Sequence, residues 1–308
     1  MRNWPPIQRI AIIGFGEVGA IFGSDLAKQG IEVSAFDILL ASRRHRQEML
    51  SKARSCRVKT EVDLSECVRG AEVVISAVTA SSALEVAKKV SPLLERGQIF
   101  LDINSVSPET KRSAAHYVQR NQGHFVEAAV MDPVPRHRLK VPILLGGSFA
   151  AEASERLRSI GMKVTALSDR IGIASAVKMC RSVMIKGLEA LTVECLLAAR
   201  QYGAEDAVLE SLAATYPSMG WKEHLPDYLI SRVAEHGRRR AAEMREVAEA
   251  VKRVGIEPTM ALAIRRRQAG LVVEMAKKKI RFEATKPFSW RSLADALVRG
   301  APHRSSRK

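Results

Sequence analysis

Cysteine is scarce in this 308-residue chain: Cys56, Cys67, Cys180 and Cys195 are the four it has, and none forms a C-x-x-C pair. That spacing suggests neither a zinc site nor a disulfide framework, and reduced thiols in a cytoplasm are the simpler expectation. Aromatic residues make up only 5%, too few for a surface on which nucleobases stack. No apolar run reaches the roughly 18 residues that a membrane helix needs. The start, Met1-Arg2-Asn3-Trp4-Pro5-Pro6, lacks the apolar core and cleavage site of a secretory signal. A soluble protein is expected, with 46% hydrophobic and 27% charged residues, ordinary values for a globular chain. Its length predicts two domains, because single cores stop growing near about 250–300 residues.

Acidic residues are also in deficit, 33 Asp and Glu against 49 Lys and Arg, for a formal charge of +16. The basic residues are spread over the whole length rather than clustered, which argues against nucleic acid as the main partner. Attraction of an anionic cofactor and a small anionic substrate is the favoured reading.

What the chain does contain is concentrated between Ile10 and Asp37. Ile10-Ala11-Ile12-Ile13 is followed by Gly14-Phe15-Gly16-Glu17-Val18-Gly19, a helical run, and Ile31-Glu32-Val33-Ser34-Ala35-Phe36-Asp37. Strand, G-x-G-x-x-G turn, helix and a second strand ending in an acid form the dinucleotide fingerprint. Gly14 permits the tight turn, Gly16 lets backbone amides approach a pyrophosphate, and Gly19 lets the helix pack against the strand. The helix N-terminus offers N–H groups and partial positive charge to that pyrophosphate, and Asp37 stands where a carboxylate meets a ribose hydroxyl. Leu39–Ala53 is expected to be helical and carries Arg43, Arg44 and Arg46. These arginines suit either a cofactor 2′-phosphate or a solvated helix face, but Asp37 would repel the phosphate, so NAD is favoured over NADP.

Further apolar runs at Ala71–Val78, Ile99–Ile103, His124–Val130, Val141–Leu145 and Lys163–Leu167 read as strands, and a short one is expected at Val58. Helices are expected over Leu64–Val68, Leu84–Leu94 and Glu152–Ile160, and an irregular turn at Met131–Pro135. Thr79 through Ser82 and Asn104 through Thr110 put small polar groups after strands, where open α/β sheets bind ligands. Ser107-Pro108 also reads as a helix cap. From Ile171 the strand signals stop. Ile171–Gln201 is apolar nearly all round and predicts burial between domains or subunits. Helices over Ala204–Ala214, Leu225–Glu235, Arg238–Val254 and Thr259–Lys278 follow, and His303–Lys308 is expected to fray. The fold class is α/β: a Rossmann-type doubly wound sheet over residues 1–168, then an all-helical substrate and dimerisation domain over 169–308. A homodimer is expected.

Within the long helix, Gly172, Ala174 and Ser175 leave room for a ligand on the side of Lys178, and Arg181 and Ser182 share its face. A lysine buried beside a cleft is pushed toward proton-transfer chemistry; the alternative is a lysine snorkelling to solvent.

Taken together the chain resembles the β-hydroxyacid dehydrogenases, the family of 3-hydroxyisobutyrate and 6-phosphogluconate dehydrogenases. The likeness rests on three motifs in order: Gly14-Phe15-Gly16-Glu17-Val18-Gly19, Asp102-Ile103-Asn104-Ser105-Val106-Ser107-Pro108, and Gly172 through Lys178. The resemblance implies hydride transfer between NAD(P) and a small hydroxy acid, with Lys178 moving the hydroxyl proton. It also implies that Asn104 and Ser105 hold the substrate and that Ala77-Val78-Thr79 flank the cofactor. The sequence departs from the family at several points. Asn104 replaces the usual Ser, Met131-Asp132 replaces a glycine pair that cradles the substrate carboxylate, and Arg181-Ser182 replaces an Asn pair. Ala242-Glu243 stands for a late Lys-Asp pair. An acid other than the family's usual substrates is therefore expected, with Arg181 or Arg240 clamping its carboxylate. The competing readings are an imine reductase of the same architecture and a dinucleotide-binding sensor without turnover.

Overall fold

The computed structural model describes residues 6–282 and 287–299, and these form two units, Met1–Lys178 and Met179–Lys308. The expectation of fraying at His303–Lys308 lies outside the described residues.

Among the described residues the first unit has eight strands: β1 (Arg9–Ile13), β2 (Glu32–Phe36), β3 (Lys59–Thr60), β4 (Val73–Ser76), β5 (Ile99–Asp102), β6 (His124–Val130), β7 (Ile143–Gly146) and β8 (Val164–Ser168). They form one sheet in the order β3-β2-β1-β4-β5-β6-β7-β8. All neighbours run parallel except β6 and β7, so β7 and β8 point against the other six. The order reverses beside β1, between β1 and β4, and in open α/β sheets ligands bind at the carboxyl ends of strands at such a point. Helices α1 (Glu17–Ala27), α2 (Arg46–Cys56), α3 (Leu64–Val68), α4 (Ala83–Val90), α5 (Pro108–Arg120), α6 (Val134–His137) and α7 (Ala150–Ser159) lie between the strands in sequence.

Central strands read as unbroken apolar runs because both faces are covered. Ile10, Ile12, Ile75 and Leu101 pack with Phe22 and Leu26 of α1 and Ala153 and Leu157 of α7. The alternate residues Ala11, Ile13, Val74 and Phe100 pack with Val68, Val90 and Val118 from α3, α4 and α5. The two-residue period of the strand thus sorts side chains into two cores.

Two predicted elements differ. Leu39–Ala53 is not one helix: a 3₁₀ turn covers Ile38–Ala41, and α2 begins only at Arg46. The Asp37 carboxylate accepts from the Leu39 amide at 2.9 Å, and Ser42 Oγ meets His45 Nδ1 at 3.1 Å. Local side-chain bonds therefore compete with the helix there and leave Arg43 and Arg44 in a turn. Likewise, Met131–Pro135 runs into the short helix α6 at Val134.

Helix α8 (Ile173–Tyr202) starts in the first unit. In the second unit follow α9 (Glu205–Thr215), α10 (Leu225–Arg253), α11 (Thr259–Lys277) and α12 (Trp290–Arg299). No strand is found there among the described residues. Val193 and Leu196 of α8, Ile230 and Val233 of α10, Leu271 of α11 and Leu293 of α12 make its main core. The two helices expected across Leu225–Val254 are one, α10, because Gly237 is no break: a Cβ there would collide with the Gln268 carbonyl of α11. Helix α12 lies outside the predicted helices. On α8, Met184 is 75% and Leu191 59% exposed, so the chain by itself leaves part of this apolar surface uncovered. No described helix is long and apolar enough to cross a membrane.

Candidate functional site

The glycine turn follows β1 at the carboxyl edge of the sheet. Gly14 has φ +94°, and a Cβ on it would collide with the Ala77 carbonyl, so the β1 and β4 ends can approach only at glycine. In front of Gly16, by contrast, nothing lies within 4 Å of where a Cβ would stand. The N-terminus of α1, led by Glu17 and Val18, has no side-chain cap. Tight where the chain turns and open where amides face outward, this arrangement fits a pyrophosphate. Gly19 is buried where α1 crosses the turn.

The turn is held from two sides. Asp37 Oδ2 accepts from the Phe15 amide at 2.7 Å, while Lys52 Nζ of α2 donates to the carbonyls of Phe15 and Gly16 at 2.9 and 3.0 Å. Asp37 therefore lies against the turn, and each of its oxygens accepts a backbone N–H.

Beyond β4, Ala77 donates its amide to Ile13 O at 2.8 Å, and Val78 donates to Asn104 Oδ1 at 2.7 Å. Thr79 Oγ1 lies 3.1 and 3.0 Å from the hydroxyls of Ser81 and Ser82. Asn104 is 5% exposed and fully engaged as a donor: Nδ2 reaches Ser76 Oγ at 2.8 Å and Asp102 Oδ1 at 2.6 Å. Both of its amide hydrogens being used, Asn104 ties the ends of β4 and β5 together rather than presenting N–H groups to a ligand. Asp102 is itself buried beside Lys111 of α5. The Lys111 ammonium lies 3.2 Å from Asp102 Oδ2 and donates to the Asp102 carbonyl at 2.7 Å.

Ser105, next along, is half-buried. Lys178 Nζ donates to Ser105 Oγ at 2.5 Å across 73 residues of sequence. The half-buried lysine therefore does not reach out into bulk water as a snorkelling side chain would. Two distant motifs, Asp102–Pro108 and Gly172–Lys178, meet at this bond.

At Met131 the expected carboxylate cradle takes another form. Its amide donates to Pro142 O at 2.9 Å, extending the β6–β7 pairing, and Pro133 has no N–H to offer. Asp132 Oδ2 instead meets His137 Nε2 at 2.8 Å.

In the second unit, Arg181 is exposed on α8, and Ser182 is buried with its hydroxyl 3.2 Å from Lys186 Nζ. Arg240 is 8% exposed, and its guanidinium fork is occupied by Glu189, with Nε to Oε2 at 3.0 Å and Nη2 on Oε1. Gln268 Nε2 donates to the same carboxylate at 3.1 Å, and Lys186 pairs with Glu243 at 3.0 Å. Glu189 thus takes the place on Arg240 that the sequence reading gave to a substrate carboxylate. Helix-to-helix ion pairing was not legible, because the partner lies 51 residues away.

Three residues of this region were missed: Asp102 as an anchor, Lys111 as its partner, and Glu127. Glu127 is fully buried at the β6 end and accepts from the Gly172 and Ala174 amides at 2.7 and 3.1 Å and from the Ser175 hydroxyl. An acid inside the apolar runs Ile99–Asp102 and His124–Val130 was the available signal, since a buried carboxylate demands donors.

Known proteins resemble this chain over most of its length. Residues 9–168 match the model of the NAD binding domain of 6-phosphogluconate dehydrogenase, and residues 199–271 match a domain of unknown function, DUF1932. An uncharacterized 28.5 kDa protein of Methanothermus fervidus is 32% identical over 256 residues, 82% of this chain and 94% of that one. The crystal structure of a conserved hypothetical protein from Sinorhizobium meliloti 1021 is 34% identical, covers 95% of this chain and 96% of its own, and superimposes with a TM-score of 0.79. A 3-hydroxyisobutyrate dehydrogenase of Pseudomonas aeruginosa is 26% identical over 223 residues, 70% of this chain and 72% of that one.

Proposed function

The chain belongs to the β-hydroxyacid dehydrogenase family, and from that premise we propose that it moves a hydride between a nicotinamide cofactor and a small hydroxy acid. The Lys178–Ser105 bond is the observation that carries the proposal: it puts an amine beside a hydroxyl at the carboxyl end of β5. Gly14, Gly16, Gly19 and the N-terminus of α1 would hold the cofactor pyrophosphate. Asp37 would meet the ribose, favouring NAD, and Ala77, Val78 and Thr79 would flank the ring end. When bound, the cofactor accepts or returns the hydride.

The chain's own residues do the rest. Lys178 takes the substrate hydroxyl proton in oxidation and returns it in reduction. Ser105, held by Lys178, orients the substrate oxygen. Asn104 contributes through placement, since its amide hydrogens are spent on Ser76 and Asp102. Arg181 is the guanidinium proposed for the substrate carboxylate. Proton abstraction needs neutral lysine while anion capture favours the cation, so turnover follows a bell-shaped pH profile.

Lys178→Ala is expected to lower turnover by about 10²–10⁴-fold with NAD binding retained. Lys178→Arg should not restore it, because a guanidinium stays protonated. Undiminished turnover in Lys178→Ala would remove the assignment. Arg181→Lys should raise KM about tenfold, on the order of 1.4 kcal/mol. A second reading, a dinucleotide-binding protein without turnover, is favoured by the spent amide of Met131 and the occupied fork of Arg240. It would be seen as NAD binding by calorimetry with no reduction across a panel of hydroxy acids.

A further inference from the structure

We propose that Glu127 is a positioning residue for Lys178, a role that rests on the reading of Lys178 as the proton-transfer group. Helix α8 begins at Ile173, and its first N–H groups have no intrahelical acceptor. Glu127 fills that gap with one carboxylate: Oε1 accepts from Gly172 and Ala174 at 2.7 and 3.1 Å, and Oε2 accepts from Ser175 Oγ. Three donors within a single turn, Gly172 to Ser175, fix both the rotation and the height of the helix start relative to β6. Lys178 follows Ser175 by three residues, one turn along the same helix. Where Glu127 holds the first turn, the lysine amine falls on Ser105, which hangs from β5, the strand beside β6.

The surroundings are shaped for this carboxylate. At Gly146 of β7, a Cβ would collide with Glu127 Oε1, so glycine makes the room the acid occupies. Gly172 has φ +100° and faces Pro108 and Arg112 of α5, so the chain turns into the helix at a position closed to other residues. A buried acid on a strand facing N–H and O–H donors also places negative charge at the positive end of a 30-residue helix, where it is stabilised.

The test needs no substrate. The full-length protein is treated with an amine-acylating reagent, and the labelling rate of each lysine is read by peptide mass spectrometry. Lys111, 1% exposed in the same unit, reports general loosening. Glu127→Ala should change the Lys178 rate by about fivefold or more, the scale of one lost hydrogen bond, with Lys111 unchanged. Glu127→Gln keeps an acceptor for the two amides and a donor for Ser175, and should stay within about twofold of the wild type. Gly146→Ala should behave as Glu127→Ala does. Should Glu127→Ala not fold, Ser175→Ala removes one of the three donors and should shift the Lys178 rate alone by a smaller amount.

A Lys178 rate unmoved in the Glu127→Ala and Ser175→Ala variants, a parallel rise of Lys111, or a Glu127→Gln variant no better than the alanine would each overturn the proposal. Failure of the proton-transfer reading is separate, and would be seen as intact turnover in Lys178→Ala whatever the labelling pattern.

Discussion

A single side chain, Asn104, shows how the site separates holding from reacting. It accepts from Val78 and donates to Ser76 and Asp102, so one amide joins the ends of β4 and β5 to the loop that would flank the cofactor. Asn104→Ala removes the acceptor of the Val78 amide and the side-chain donor to Ser76 and Asp102, although Asp102 Oδ1 keeps the backbone N–H of residue 104, and should cost about 1–3 kcal/mol in urea unfolding. Little change in the unfolding midpoint would argue that the tie is dispensable. Cys67 tests burial in the same way. Burial first, and the charge of Glu61 second, push its thiol from 9.0 up to about 12. A raised thiol pKa means the folded protein keeps the proton that the unfolded chain gives up. The stabilisation is therefore whole below pH 9.0 and is lost as pH rises toward about 12. The unfolding free energy should fall over that window by at most about 1.4 kcal/mol per pH unit, and Cys67→Ala should flatten this part of the decline. An equal slope in both proteins would contradict the assignment.

Among elements, legibility in the sequence depended on how local the signal was. The glycine turn, the strands and the Ser107-Pro108 cap are written in neighbouring residues, and Ser107 Oγ does accept from the Thr110 amide at 3.3 Å. The start of α2 was misplaced because Asp37 and Ser42 bind nearby groups, which periodicity does not register. The break expected near Gly237 failed for the opposite reason: the glycine serves a helix crossing with a partner far along the chain. Gly237→Ala should therefore destabilise the second unit by about 1–3 kcal/mol through overpacking, although alanine is the better helix former. Thermal unfolding measures this, and a stabilised variant would show that α10 and α11 do not approach so closely. Lys178 and Ser105 stand in motifs that neighbouring residues spell out, whereas the contacts of Glu127 and of Asp102 with Lys111 depend on the packing that buries them.

For the molecule as a whole, a charge of +16 suits the anionic dinucleotide and acid substrate proposed above, and the proposed site and the ion-pair network divide between the units. The first unit contains the glycine turn, Asp37, Asn104, Ser105 and Lys178. The second spends Arg240, Glu189, Lys186 and Glu243 on its own interior. Pairing of two chains through the apolar surface at Met184 and Leu191 is the proposed way to cover that part of α8. Sedimentation should show a dimer that Leu191→Glu weakens, and a monomeric wild type would contradict this. The measurement that bears most directly on the central claim is absorbance of reduced nicotinamide with NAD, a panel of small hydroxy acids, and wild type beside Lys178→Ala. The account predicts turnover of at least one acid by the wild type and a loss of about 10²–10⁴-fold in the variant. Equal rates in the two proteins would contradict it.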